Sequence, residues 1–344
     1  MARQYGIHGF CYYHYWFNGR RILERPFNEI LASGEPDFPF CLCWANENWT
    51  RVWDGGDKQV LLGQQHSQDD DLRHIQSLLP AFRDPRYIRV DGRPLFLVYR
   101  TELLPDPAAT ARIWRRAAVE AGVGDLYLVR VESFTRGTDP QVHGFDAAVE
   151  FSPDGYDQGG WIYRFGFSGF LSRIGVLPRA FSQHRVVSYP TLALGKSRKP
   201  APAYKQFRCV TPMWDNSARR RVEARILVDS TPEVYEDWLY KATRQTQQRH
   251  CGDERLVFIN AWNEWAEGNH LEPDLKWGLS YLEATRRALA RATMPIATPA
   301  GTPEHGANPP AVQGRAALRG SYWELRRWLK AQAAMWRHAI RRPL

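Results

Sequence analysis

Seven near-continuous apolar runs, each giving way to polar or aromatic residues at its C-terminal end, constrain this chain more than any other feature. They are residues 6–16 (GIHGFCYYHYW), 38–46 (FPFCLCWAN), 94–99 (PLFLVY), 125–133 (DLYLVRVES), 145–151 (FDAAVEF), 207–214 (FRCVTPMW) and 256–262 (LVFINAW). Runs of this kind belong to strands covered on both faces, which means a parallel sheet flanked by helices. Helix-like stretches separate most of them, at residues 25–32, 70–82, 108–121, 232–249 and 277–292.

The polar residues fall at the strand ends: His14 and Trp16; Trp44, Asn46 and Glu47; Tyr99; Glu132; Glu150; Trp214, Asp215 and Asn216; Glu264 and Glu267. In a (β/α) barrel such ends converge on one rim, where active sites are built. An open doubly wound sheet would instead gather ligands at one switch point beside a glycine-rich phosphate turn, and no such turn follows any run. The expected fold is therefore α/β, a (β/α)8 TIM-barrel-like domain over residues 1–294. Seven strands are one short of eight, and the first strand is expected to lie outside this sequence. The 344 residues are an ordinary length for one such barrel. Residues 152–206, with Gly159, Gly160, Gly166, Gly169 and many aromatics, read as a long loop inserted over the barrel mouth.

Residues 295–314, rich in Pro, Gly, Ala and Thr, read as a linker, and residues 315–344 as a basic amphipathic helix. Leu318, Tyr322, Leu325, Leu329, Trp336 and Ile340 recur there at steps that share a helix face. Residues 301–344 carry +6 of the chain's formal charge of +9, so the body is nearly balanced. A basic helix of this kind suits an anionic membrane surface or an acidic protein partner, or packs its stripe back on the barrel. No nucleic-acid motif accompanies the charge, and nucleic acid is not an expected partner. The five cysteines are an odd set without a CxxC, and four of them sit in apolar runs as small hydrophobes. With no signal-like N-terminus and no apolar stretch of about 18 residues, the expected location is cytoplasmic, with the tail as a means of peripheral attachment at the inner membrane.

The segment Leu256–Pro273 carries the densest chemistry: Asn260, Trp262, Asn263, Glu264, Trp265, Glu267, Asn269, His270 and Glu272 follow an apolar strand within a dozen residues. Carboxyl groups move protons or attack an anomeric carbon, amides hold hydroxyls, and indoles stack on the C–H face of a sugar ring. Glu264 and Glu267 are the candidate catalytic pair, since neighbouring carboxyls can hold different pKa values and divide acid from base work. Candidate substrate contacts are His14, Trp16, Trp44, Asn46, Glu47, Trp49, Glu132, Glu150, Trp214, Asp215, Asn216, Asn263 and Trp265. Asp69–Asp71 has the look of a metal-binding acidic triplet, but it precedes LRHIQSLL, where acids favour the positive end of a helix. Neither zinc spacing nor a GxSxG turn occurs, so no metal and no other cofactor is expected.

The stretches YGIHGFCYYHYWFNGRRILERPFNEIL, FPFCLCWANENWTRVWDGG, FRCVTPMWDN and FINAWNEWAEGNHLEP resemble the WbsX-like family of bacterial polysaccharide-biosynthesis proteins. That family carries a domain similar to glycoside hydrolase family 99, the endo-α-mannosidases. The resemblance covers roughly residues 4–292. It implies a (β/α)8 barrel and an enzyme acting on a glycan, in assembly or trimming of bacterial surface polysaccharide or lipopolysaccharide. On the matching NEWAE positions it implies that Glu264 deprotonates the substrate 2-hydroxyl, which attacks C1 to give an anhydro-sugar with eventual retention. Glu267 then serves as acid and later as base. Members usually begin with a further strand before the segment matching Tyr5, which this sequence lacks. Two other readings stand beside it: a non-catalytic glycan-binding or scaffold protein of the assembly machinery, and a truncated inactive homologue.

Overall fold

In the computed structural model all seven apolar runs form strands: β1 (Phe10–Phe17), β2 (Phe40–Trp44), β3 (Arg93–Val98), β4 (Tyr127–Glu132), β5 (Ala147–Glu150), β6 (Gln206–Val210) and β7 (Val257–Ile259). The structure describes residues 1–294 apart from 52–55, 155–160, 164–166 and 177–178; the expected linker at 295–314 and helix at 315–344 lie outside the described residues. Each strand pairs in parallel with the next in chain order, β1 through β7. Sequential parallel pairing needs a crossover between every pair, and the sheet's twist curls such a run toward a barrel.

The curl does not close. Among the described residues no strand bridges β7 to β1; the only further neighbour of β1 is the short strand Arg20–Ile22, antiparallel to Tyr15–Phe17. The effect on burial is direct: all five residues of β2 are buried, whereas Val257, Phe258 and Ile259 of β7 are only half-buried. Phe10 and Trp262 meet edge-on across the seam, ring centroids 5.3 Å apart. A cavity of about 900 Å³ runs from the concave face of the sheet out through this opening.

The principal helices are α1 (Arg25–Ser33), α2 (Gln68–Arg83), α3 (Pro107–Glu120), α4 (Tyr189–Arg198), α5 (Pro232–Arg249) and α6 (Ser280–Thr293). Their starts follow local chemistry. Ser67, Asp106 and Thr231 each accept a backbone N–H from the first turn, and α3 and α5 open on proline. One apolar cluster joins β1–β4 to α2 and α3 through Phe82, Phe96 and Trp114; another joins α4, α5 and α6 to β6 through Tyr189, Trp238 and Leu282. Among the described residues no helix is long and apolar enough to cross a membrane.

Residues 152–206 differ from the expected loop. The stretch holds a strand (Trp161–Tyr163), two short helices (Phe167–Arg173 and Ala180–Gln183), a second strand (Arg185–Ser188) and α4. The two strands form a small sheet with Arg225–Val228. Tyr189, Leu192 and Ala193 of α4 pack with Trp238 and Leu239 of α5, so α4 serves as the crossover helix between β5 and β6. Its weak apolar periodicity hid it in the sequence, because tertiary packing supplies most of a short helix's stability.

Candidate functional site

Alternation in β1 decides which side chains can reach the mouth. His14 and Trp16, on one face, stack against His74 of α2, and Trp44 of β2 meets His74 and Trp114 edge-on. His14 Nε2 lies 2.9 Å from His74 Nε2, and Trp16 Nε1 donates to Asp70 at 2.8 Å. These three expected substrate contacts are therefore placed in the interface between sheet and helices. Burial pushes the His14 pKa down to about 3, so it stays neutral there. The opposite face of β1 presents Cys11 and Tyr13 to the cavity and, two residues on, Tyr15. Tyr13 meets Tyr99 edge-on at 6.1 Å, and Tyr15 meets Trp49 at 5.4 Å. The sequence offered aromatics on both faces of β1 and no rule for which face turns inward; Tyr13 and Tyr15 were missed for that reason.

Glu132 and Glu150 are held by buried polar partners, with Glu150 at the cavity lining. Both are buried: Tyr204 Oη donates to Glu132 at 2.6 Å and Gln206 Nε2 donates to it as well. Arg208 and Lys199 hold Glu150 at 2.9 and 3.2 Å. Buried carboxylates need such partners, and these are fully engaged. Trp214 sits in the apolar cluster with Tyr235 and Leu239. Asn46 is a clamp: its Nδ2 donates to the Arg100 carbonyl and its Oδ1 accepts the Arg100 N–H, both at 2.8 Å, tying the ends of β2 and β3 together. Asp69–Asp71 open α2. Asp70 holds Trp16 and Arg73, and Asp71 accepts from Thr110 at 2.7 Å. Among the described residues no group of three His, Cys, Asp or Glu is arranged to hold a metal ion.

The groups left at the rim come from β1, β2, β3, β6 and β7. Glu47 pairs with Arg100 at 2.5 Å, and the Arg100 guanidinium lies 3.9 Å from the Phe134 ring centroid. Beyond β7 the chain makes a tight hairpin, Asn263–Glu264 against Asn269–His270. Thr211 ties buried Asn269 at 3.0 Å, and Asn260 Nδ2 donates to the Ser152 carbonyl at 2.8 Å. Trp265 stacks on His270 with centroids 3.7 Å apart, its Nε1 donates to Glu272 at 2.6 Å, and the indole is 49% exposed, presenting an apolar plate to solvent. Asn263 is exposed beside it.

Glu267 is the most perturbed carboxyl of the site. Burial pushes its pKa up to about 7, opposed by the Arg219 charge, raised further by Glu264, and lowered by a hydrogen bond from the Asn216 side chain. Arg219 Nη2 stands 3.2 Å from Glu267 Oε1. Asn216 is itself fixed by accepting the Arg225 N–H at 2.8 Å, and the Asp215 N–H donates to the Glu267 carbonyl at 2.8 Å. Glu264 also acts on Tyr15, whose pKa is raised by burial first and by this carboxylate second. The pKa of Tyr99 is raised by burial, then by Glu47 and, more weakly, Glu267. Glu47 and Glu267 thus both act on Tyr99, and Glu264 acts on Tyr15 and Glu267. Arg219 was not legible as a site residue, because nothing in SARRR announces which arginine turns to the carboxyl.

Gly268 makes the turn possible. Its φ is +54°, and a β-carbon there would sit 2.7 Å from the Asp215 carbonyl oxygen. Gly268→Ala is therefore expected to lower stability by about 1–3 kcal/mol and to displace Glu267. A urea-unfolding midpoint equal to wild type would refute the strain.

A family model for glycosyltransferase WbsX matches residues 1–285. An uncharacterized protein, WxcX, of Xanthomonas campestris pv. campestris is 42% identical over 292 residues, covering 85% of this chain. The chain spans about 40% of the length of that relative. Among solved structures, a glycoside hydrolase-like protein aligns with a TM-score of 0.52 at 13% identity, covering 83% of this chain and 82% of the other. The endo-α-mannosidase of glycoside hydrolase family 99 from Bacteroides thetaiotaomicron aligns with a TM-score of 0.46 at 16% identity, covering 81% and 74%. With the parallel sheet and the family match over residues 1–285 in place, the chain belongs to the WbsX glycosyltransferase family.

Proposed function

We propose that this chain cleaves or transfers a glycosidic bond of a bacterial surface polysaccharide, with Glu267 as proton donor and Glu264 as the base beside it. The observation that carries the reading is the Glu267 carboxyl, held near pKa 7 at the end of β7 within the field of Glu264. A group with that pKa is half protonated at neutral pH, the condition under which a carboxyl can both give and take a proton. Glu264 accepts the proton of the substrate 2-hydroxyl, whose oxygen forms a bond to C1 as the glycosidic C1–O bond breaks. The leaving oxygen takes the Glu267 proton. Water or a sugar hydroxyl then opens the anhydro-sugar by the reverse steps. Both outcomes use the same two carboxyls, so hydrolysis and transfer differ only in the acceptor. Trp49, Tyr15 and the exposed Trp265 plate supply stacking surfaces for pyranose rings, and Arg100 holds Glu47 beside them.

The test is a pH–rate profile on bacterial surface glycans, with products resolved by mass spectrometry. As proton donor, Glu267 must be protonated, so kcat/KM should fall as the pH rises through about 7. The Arg219 cation favours the carboxylate, so Arg219→Met should raise the Glu267 pKa and move the falling limb to higher pH. A limb that stays in place on losing Arg219 removes Glu267 from the acid role. Glycan binding without turnover at any pH would replace the enzyme reading with that of a glycan-binding protein.

A further inference from the structure

β1 and β2 bring three thiols together. Cys11 lies opposite Cys41 in the strand register, and Tyr13 lies opposite Cys43. Side chains alternate across a sheet, so Cys11, Cys41 and Cys43 share the concave face, where all three line the cavity. All are free; Cys41 and Cys43 are buried, and Cys11 is exposed where the cavity opens at the seam. The register sets Cys11 directly across from Cys41, with Cys43 two residues further along the same face. The proton-transfer chemistry at Glu264 and Glu267 makes no use of them. Small hydrophobes alone would fill the space equally well, whereas three neighbouring thiols with one reachable member form a reactive arrangement.

We propose that Cys11, Cys41 and Cys43 form a peroxide-reactive thiol site, in which Cys11 is oxidised first and one of its two β2 neighbours then closes a disulfide between β1 and β2. In the first step the Cys11 thiolate attacks a peroxide oxygen. An S–O bond forms, the O–O bond breaks, and the departing oxygen leaves as an alcohol or water after taking a proton. In the second, the sulfur of Cys41 or Cys43 attacks the sulfenic sulfur, the S–S bond forms, and the hydroxyl leaves as water with the attacking thiol's proton. Two thiols are oxidised and one peroxide is reduced, so the electrons balance.

The order of events follows from the environment. Hydrogen bonds from Cys41 and Cys43 stabilise the Cys11 thiolate and hold its pKa well below the usual thiol range. Hydrogen bonding to Cys11, together with burial, pushes Cys41 and Cys43 well up, so they stay protonated until the sulfenic acid forms. The new bond would lie under Tyr13, which continues along the same face of β1 to Tyr15 at the candidate site. Oxidation would thereby fix the floor of the pocket.

Cys251, exposed and outside the cluster, is an internal reference. In the unmodified protein at pH 6.5, iodoacetamide should alkylate Cys11 about tenfold faster than Cys251, as expected for a thiol of depressed pKa. After one equivalent of hydrogen peroxide, peptide mapping without reductant should find Cys11 joined to the peptide carrying Cys41 and Cys43, reversibly with dithiothreitol. With both partners changed to Ser, dimedone should trap sulfenic acid on Cys11. Alkylation of Cys11 no faster than of Cys251, or peroxide products confined to Cys251, would overturn the proposal. Both deciding measurements use the wild-type chain, so a variant that fails to fold leaves the test intact.

Discussion

Glu267→Gln is expected to slow turnover of a glycan with a poor leaving group by about 10²–10⁴-fold, the range that a positioned proton donor contributes. Glutamine keeps the shape and the contact to Asn216 but has no proton to give at this pKa. The loss should shrink sharply on aryl glycosides whose leaving phenolate needs no protonation, which separates an acid from a residue that merely shapes the pocket. Glu264→Gln should be severe on both substrates, because activation of the attacking hydroxyl is needed whatever leaves. Glycan affinity, measured calorimetrically, should change little in either variant. Near-wild-type turnover in one of them would falsify the two-carboxylate assignment. The pairing has a structural basis: Glu264 sits in the hairpin strand and Glu267 three residues on, at the end of a 3-10 turn, where Asp215 and Asn216 hold it.

Trp44→Ala is expected to cost about 3–5 kcal/mol of stability, the usual range for emptying a buried indole site, while leaving the KM of any glycan substrate unchanged. Trp44 is 1% exposed and packs on His74 and Trp114. Trp49→Ala should do the reverse: Trp49 is only half-buried and stands edge-on to Tyr15 and Phe17 near the mouth. Its loss should raise KM with a small change in the urea midpoint. If Trp44→Ala raised KM without destabilising the protein, the assignment of Trp44 to the interface between sheet and helices would be wrong. The pair tests the inward and outward sides of the barrel wall with the same chemical change.

The sheet was largely legible because a parallel strand buried on both faces must be apolar throughout. Seven such runs appear in the chain, and among the described residues they form the seven parallel strands of the main sheet in the same order. α2 and α5 were legible through their amphipathic stripes, caps and charges. α4 was not, since its glycine and scattered apolar residues give no periodic signal, and it is held by Trp238 and Leu239 from another helix. The site was legible by position more than by residue. Glu47, Trp49, Asn216, Glu264, Trp265 and Glu267 lie beyond the C-terminal ends of their strands and stay the proposed site residues. His14, Trp16 and Trp44 sit on the same strands but pack against α2, and Glu132 and Glu150 are taken up by buried polar partners.

The difference has one physical cause. Composition and order along the chain determined that a parallel sheet forms, that its strand ends carry polar residues, and that Glu264 and Glu267 follow directly on its last strand. The two-residue period of a strand fixes two faces without saying which is inside. Only the tertiary structure decided that, by packing α2 and α3 with His74 and Trp114 against Trp44 and so turning Cys11, Tyr13 and Tyr15 inward. It also decided the pKa of Glu267, because burial, the Arg219 charge and the Asn216 hydrogen bond come from segments brought together only when β6 and β7 lie side by side.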